Sequence, residues 1–247
     1  MYGEPETFRE LANRLDGRRP VYGIHHAGSL QECEPVKSIA KLAQLYAADI
    51  RTVQTTGPYY LLGYSLGGAI AFETARELAA LGEKIGLVIM AESLAPGYPT
   101  PPPRLRRYKI HIQNMVSGTL DSRKAYLRER LRNVRTRIIR KLGLGALDAP
   151  DEPIPEHIQQ VNDAMFEAYG EYVVRPQNID VMFLTSENPF DWPGAVFDDP
   201  LCGWGPSIGG RIMQRDIPGD HRSLFKPQNI EHTSACVREG LAAADPH

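Results

Sequence analysis

The 247-residue chain predicts an α/β fold, with a mainly parallel sheet and helices on both faces. Three observations carry this. Short apolar runs alternate with segments of helical spacing, as in a sheet built from crossover units. The run Ile85 to Ala91 is almost wholly apolar, as expected of a strand buried on both faces. Third, Tyr59 to Leu62 leads into Gly63-Tyr64-Ser65-Leu66-Gly67, and a helix-patterned segment, Ala69–Leu81, follows at once. A Gly-x-Ser-x-Gly turn between a strand and a helix is a nucleophile elbow, which holds its serine in a strained turn above the sheet. Side chains at Gly63 or Gly67 are expected to collide with their neighbours in so tight a turn.

In chain order, Glu4 to Leu15 reads as a helix, with Phe8, Leu11, Ala12 and Leu15 on one face. Pro20 to His25 reads as a short strand. Glu34 to Val53 is a second helix, broken at Gly57-Pro58. The elbow follows, then Ala69–Leu81, stopped by Gly82, then the strand at Ile85. Prolines between Pro96 and Pro103 stiffen a connection into a basic helical stretch. There Leu127, Leu131, Val134, Ile138 and Leu142 form one stripe. His157 to about Val173 is a further helix. The α/β pattern returns with strands at Ile179–Leu184 and Arg211–Ile217, and Gln228 to Ala243 closes the chain. The expected organisation is one domain over 1–247, with a core of 1–100 and 174–247 and a helical lid over about 101–173.

Composition narrows the function classes. Hydrophobic residues make up 42% and charged residues 23%, ordinary for a globular chain. The net charge of -2 excludes a general polyanion binder. No apolar run is long enough to span a bilayer, and the N-terminus lacks the pattern of a signal peptide. Three distant cysteines, Cys33, Cys202 and Cys236, suit neither a disulfide framework nor a metal site. A cytoplasmic location and no bound metal are expected.

A serine hydroxyl needs a base, usually histidine, and the histidine needs an acid to orient it. Of seven histidines, His221 alone follows the last strand, on a turn-forming Pro-Gly-Asp lead. Glu92 follows the strand after the elbow and is the candidate acid; Asp180, Asp191, Asp198, Asp199 and Asp216 compete. Asp220 is expected to brace its loop instead. The Leu66 amide, directly after the nucleophile, is a candidate oxyanion donor. Between Arg104 and Lys141, a dense run of Arg and Lys is opposed only by Asp121 and Glu129. This is a solvated helix face or a docking surface for an acidic partner. Little aromatic interleaving accompanies it, so nucleic acid is not expected.

The blocks Arg19-Pro-Val-Tyr-Gly-Ile, Ala48-Asp-Ile-Arg-Thr-Val-Gln, Gly57 to Gly68 and Pro218-Gly-Asp-His-Arg-Ser-Leu together resemble the type I thioesterase domains. These close the assembly lines of polyketide synthases, nonribosomal peptide synthetases and animal fatty acid synthase. The resemblance covers residues 2 to about 95 and 179 to 240. It implies an α/β-hydrolase with a helical lid. It also implies release of an acyl chain from a carrier protein's phosphopantetheine thiol through an acyl-serine, by hydrolysis or macrocyclisation.

The implied partner is an acyl or peptidyl carrier protein, as an upstream domain. No cofactor is implied, because the pantetheine arm arrives with the substrate. Tyr64, Met165 and Tyr169 are expected at the acyl chain. The sequence departs from the family in two places. Glu92 stands where aspartate is usual, and the family's His-Pro-x-x-Gly loop would fall at the extreme N-terminus. That alignment puts the second oxyanion amide near Met1 and implies either a truncated start or a missing first strand with impaired activity. A free-standing esterase or lipase and a non-catalytic binding module of the same fold are the alternatives.

Overall fold

The computed structural model describes residues 5–15, 17–26, 29, 34–99, 155–188 and 197–245. Met1 and the basic stretch between Arg104 and Lys141 lie outside the described residues. The sheet has four parallel strands in spatial order β1-β2-β3-β4, with β1 Tyr59–Tyr64, β2 Ile85–Ala91, β3 Val181–Asn188 and β4 Ile212–Asp220. Among the described residues the helices are α1 Arg9–Ala12, α2 Ile39–Val53, α3 Leu66–Ala80, α4 Glu156–Glu171 and α5 Ile230–Ala244.

Strand alternation sorts the core into two layers. Val88 and Met90 of β2 and Val181 and Phe183 of β3 meet α3 residues Ala69, Phe72 and Ala75. Leu87, Ile89 and Ala91 of β2, with Met182 and Leu184 of β3, face the other way onto α5 and Leu11 of α1. Both faces of the central strands are thus covered, which is why β2 reads as an unbroken apolar run.

Helix α4 docks on the α3 side through its apolar stripe. Ile158, Val161, Ala164 and Ala168 are buried, and Ala168 packs with Ile39, Leu42 and Ile70 of α2 and α3. One buried charge reinforces this seam. Glu73 of α3, 2% exposed, accepts a hydrogen bond from Arg76 Nε at 2.8 Å and another from the Tyr172 hydroxyl at 2.8 Å. A buried carboxylate so partnered avoids the desolvation penalty of an orphaned charge.

Several sequence expectations shift. The first helix is shorter than its apolar pattern: a 3₁₀ turn at Pro5–Phe8 runs into the single turn of α1. Helix α2 begins at Ile39, because the Ser38 side chain accepts the Lys41 amide and caps it there. The strands β3 and β4 run on past Leu184 and Ile217 to Asn188 and Asp220. Residues 20–25 form no strand. No described strand pairs with them, and Val21 and Tyr22 are 50% and 64% exposed. An apolar-rich run of six residues forms a strand only if a ladder partner meets it, and sequence cannot supply that partner.

The elbow's glycines also divide differently from expectation. A methyl at Gly63 would lie 2.0 Å from the Gly67 carbonyl oxygen and 2.6 Å from the Gly68 nitrogen. At Gly67 it would meet nothing within 4 Å. The second tight position is Gly68, where a methyl would stand 2.4 Å from Ser93 Oγ. The close approaches are therefore strand to helix at Gly63 and helix to the β2 end at Gly68. Gly63→Ala is expected to lower unfolding free energy by about 3 kcal/mol or more, because backbone must move. Gly67→Ala is expected to change it by no more than about 1 kcal/mol. Urea unfolding of the two variants checks the contrast.

Candidate active site

Strand register assembles the site. Tyr64 of β1 pairs with Ala91 of β2, so Ser65 and Glu92 stand side by side just past the strand ends. The Ser65 amide donates to the Ala91 carbonyl at 2.8 Å, and the Glu92 amide to the Leu184 carbonyl at 2.8 Å. Both residues have left-handed backbones, φ 56° for Ser65 and φ 48° for Glu92. For residues that carry a Cβ this is a strained conformation, held only where the surroundings enforce it. At Ser65 the enforcing elements are the Gly63 contact and the first turn of α3. At Glu92 they are the ladder bond to Leu184 on one side and buried Ser93 on the other, whose carbonyl accepts from Trp204 Nε1 at 3.1 Å.

The carboxylate of Glu92 is fully buried. Its Oε1 accepts the Ser186 amide, and its Oε2 lies 3.3 Å from His221 Nδ1. One oxygen is thus fixed by the backbone of β3, and the other is presented to the imidazole. The Ser186 brace was illegible in the sequence, since a backbone amide has no residue signature.

His221 follows β4 on a tightly braced loop. The Asp220 amide donates to Ser223 Oγ at 2.8 Å, and Asp220 Oδ1 accepts the Arg222 amide at 3.0 Å. Asp220 therefore braces the turn, as the sequence placed it. Gly219 has φ 97°. Asn229, 6% exposed at the α5 N-terminus, donates through Nδ2 to the Pro218 carbonyl at 2.6 Å and the Ser223 carbonyl at 3.1 Å. It spans the loop that carries His221, a role sequence reading missed. The only available signal was an asparagine ahead of a helix, and that reads as an ordinary cap.

Tyr64, expected at the acyl chain, packs against His221. Its ring stacks on the His221 imidazole, with centroids 4.9 Å apart and planes 23° apart, and its hydroxyl donates to the His221 carbonyl. Burial, then the charges of Glu92 and Asp220, push its phenol well above the usual tyrosine range, so it stays a donor. Met165 packs with the α2–α3 seam, and the Tyr169 hydroxyl donates to the Leu94 carbonyl. Leu66 opens α3, where first-turn amides have no intrahelical acceptor and the helix dipole is positive. Burial foremost, with the charges of Glu92 and Asp199, pushes the Cys202 thiol up to about 11. It is neutral at pH 7 and offers no thiolate to compete with the serine. Among the described residues, no three His, Cys, Asp or Glu side chains gather as a metal site.

A serine with a left-handed backbone at a strand–helix elbow, with a buried carboxylate after β2 and a histidine after β4, is the arrangement of the α/β-hydrolase fold. Solved structures agree on the fold. The chain superposes on the NocB thioesterase domain, solved as a covalent fluorophosphonate complex. The TM-score is 0.63 at 22% identity, covering 97% of this chain and 90% of that one. It also superposes on ClbQ from the colibactin pathway. There the TM-score is 0.65 at 16% identity, covering 98% and 94%.

Within that class, the chain is similar to thioesterase domains of peptide and polyketide synthases, and residues 1–109 match the thioesterase domain family model. It is 28% identical over 211 residues to a dimodular nonribosomal peptide synthase of Bacillus subtilis, covering 85% of this chain and 9% of the synthase. It is 29% identical over 230 residues to the non-reducing polyketide synthase crz7 of Cladonia metacorallifera, covering 90% and 11%. The chain thus spans about a tenth of the length of these relatives.

Asn229→Ala is expected to cost about 1–3 kcal/mol, because two loop carbonyls lose their buried donor. Urea unfolding measures the loss. Amide exchange across residues 219–223 should quicken in the same variant.

Proposed function

We propose that the chain is a thioesterase that releases an acyl chain from a carrier-protein phosphopantetheine thioester through an acyl-Ser65 intermediate. The observation that carries this is the assembly at the strand ends: Ser65 with φ 56° at the α3 N-terminus, beside a buried Glu92 whose Oε2 lies 3.3 Å from His221 Nδ1. In this reading His221 takes the Ser65 proton on Nε2 as Oγ attacks the thioester carbonyl. The Leu66 amide stabilises the oxyanion. The C–S bond breaks, and the imidazolium returns its proton to the leaving thiolate. Water, or a hydroxyl or amine of the acyl chain itself, then gives its proton to His221 and attacks the ester. Ser65 is regenerated, and an acid, lactone or lactam leaves. Glu92 holds the imidazole in the tautomer with its proton on Nδ1 and balances the imidazolium charge.

A carrier-protein partner is supported by the relatives, which are multidomain peptide and polyketide synthases. The dense positive charge between Arg104 and Lys141 suits an acidic carrier. We assign the acyl chain, peptide, polyketide or fatty, to the space over the strand ends, with Met165 and Tyr169 of α4 along its wall. Cysteine usage fits a cytoplasmic setting. Among the described residues no helix is long and apolar enough to cross a membrane.

Ser65→Ala is expected to abolish both turnover of a carrier-bound thioester and fluorophosphonate labelling, with an unchanged melting temperature. Residual labelling in that variant would move the nucleophile elsewhere. Equal turnover of small free esters and carrier-bound thioesters would make the chain a general esterase. Glu92→Gln is expected to lower kcat on the order of 10³- to 10⁴-fold, since the wrong tautomer of the base is then favoured. Steady-state rates on the carrier-bound thioester measure it, and a near-normal rate would assign the acid to another carboxylate.

A further inference from the structure

The Glu92–His221 contact fixes only one edge of the imidazole. The Nδ1 to Oε2 distance is 3.3 Å, at the long end for a hydrogen bond. A second contact comes from β1. The Tyr64 ring lies along the imidazole at 4.9 Å and 23°, and its hydroxyl donates to the carbonyl of the same residue. Tyr64 therefore grips both the side chain and the backbone of His221. It is itself held from behind. Phe225, 7% exposed, meets it edge-on at 5.3 Å and 87°, and Phe8 meets Phe225 edge-on at 5.1 Å and 79°. A ring with one face on the imidazole, an aromatic edge against it and its hydroxyl engaged is a fixed support.

We propose that Tyr64 is a positioning residue for His221, so that one strand end carries the nucleophile at Ser65 and, one residue earlier, the support that sets the base. This rests on the reading of His221 as the base. The electron-rich face of the phenol also lies where an imidazolium forms during acyl transfer, an arrangement that favours the cation. The strand's geometry explains the division of labour. Tyr64 is the last ladder residue, paired with Ala91, and points to the layer that holds Phe225, while the chain turns at Ser65 toward α3.

The test compares Tyr64→Phe and Tyr64→Leu with the wild type, using a short acyl N-acetylcysteamine thioester as substrate. Tyr64→Phe keeps the stack and loses the hydroxyl, and kcat should fall about threefold. Tyr64→Leu loses both, and kcat should fall about 30- to 100-fold, with KM within about twofold, as a misplaced catalytic group costs. The proton spectrum reads the geometry directly. The low-field Nδ1–H resonance of His221 should persist in the wild type and Tyr64→Phe and vanish in Tyr64→Leu. A raised KM with retained kcat would make Tyr64 a substrate wall and overturn the proposal. So would an unchanged low-field resonance in Tyr64→Leu, or its absence from the wild type. Fluorophosphonate labelling of Ser65 separates the two readings. No adduct in the wild type removes the proposed function, while the resonance still decides whether Tyr64 holds His221.

Discussion

The approach of the β1–α3 turn to itself at Gly63 is the constraint on which the rest of the site depends. With no Cβ there, the Gly67 carbonyl comes within 2.0 Å of where a methyl would sit. That closeness lets the chain reverse from strand to helix within one residue. Ser65 is left at the bend with φ 56°, and α3 starts directly behind it. The first turn of α3 therefore opens directly beside Ser65, at the positive end of the helix dipole. Gly68 extends the same logic by letting α3 settle onto Ser93, next to Glu92. The ends of β1 and β2 are thus locked to α3 by two absences of side chain, at Gly63 and Gly68.

Strain at Glu92 mirrors strain at Ser65. Each stands at the end of a parallel strand, each amide is paired to a carbonyl of the neighbouring strand, and each has a left-handed backbone. Such conformations persist where a surrounding structure over-determines them. Here the buried core beneath does so, with Trp204 fully buried against Phe72 and hydrogen-bonded to Ser93. The core under the strand ends therefore fixes site geometry as well as stability. His221 comes from the opposite arrangement, an exposed loop stiffened by polar contacts from Asp220, Ser223 and Asn229. Rigid strand ends and a clamped loop meet at the Glu92–His221 contact.

Much of this was legible in residue order. Ile85–Ala91 reads as the strand it forms, to the residue. The elbow, the helix after it, and the positions of Glu92 and His221 past strand ends all follow from spacing. The six residues 20–25 misled, because an apolar extended segment needs a neighbour that sequence does not name. Gly67 misled for a related reason. A motif marks two glycines, but which of them meets backbone depends on how the helix leaves the turn. The contacts of Tyr64 and Asn229 had no signal, since a tyrosine beside a nucleophile and an asparagine before a helix each have several ordinary roles.

By itself the sequence determined a parallel α/β chain with a serine at a strand–helix elbow, because strand periodicity, glycine sterics and helix spacing act over a few neighbouring residues. The tertiary structure alone decided that Glu92 meets His221 across 129 positions of chain, that Ser186 braces it, and that Tyr64 supports the imidazole. Those contacts depend on the register of β1, β2 and β3 and on where the β4 loop is clamped. Register is settled by packing of the whole core, and no local run of residues contains it.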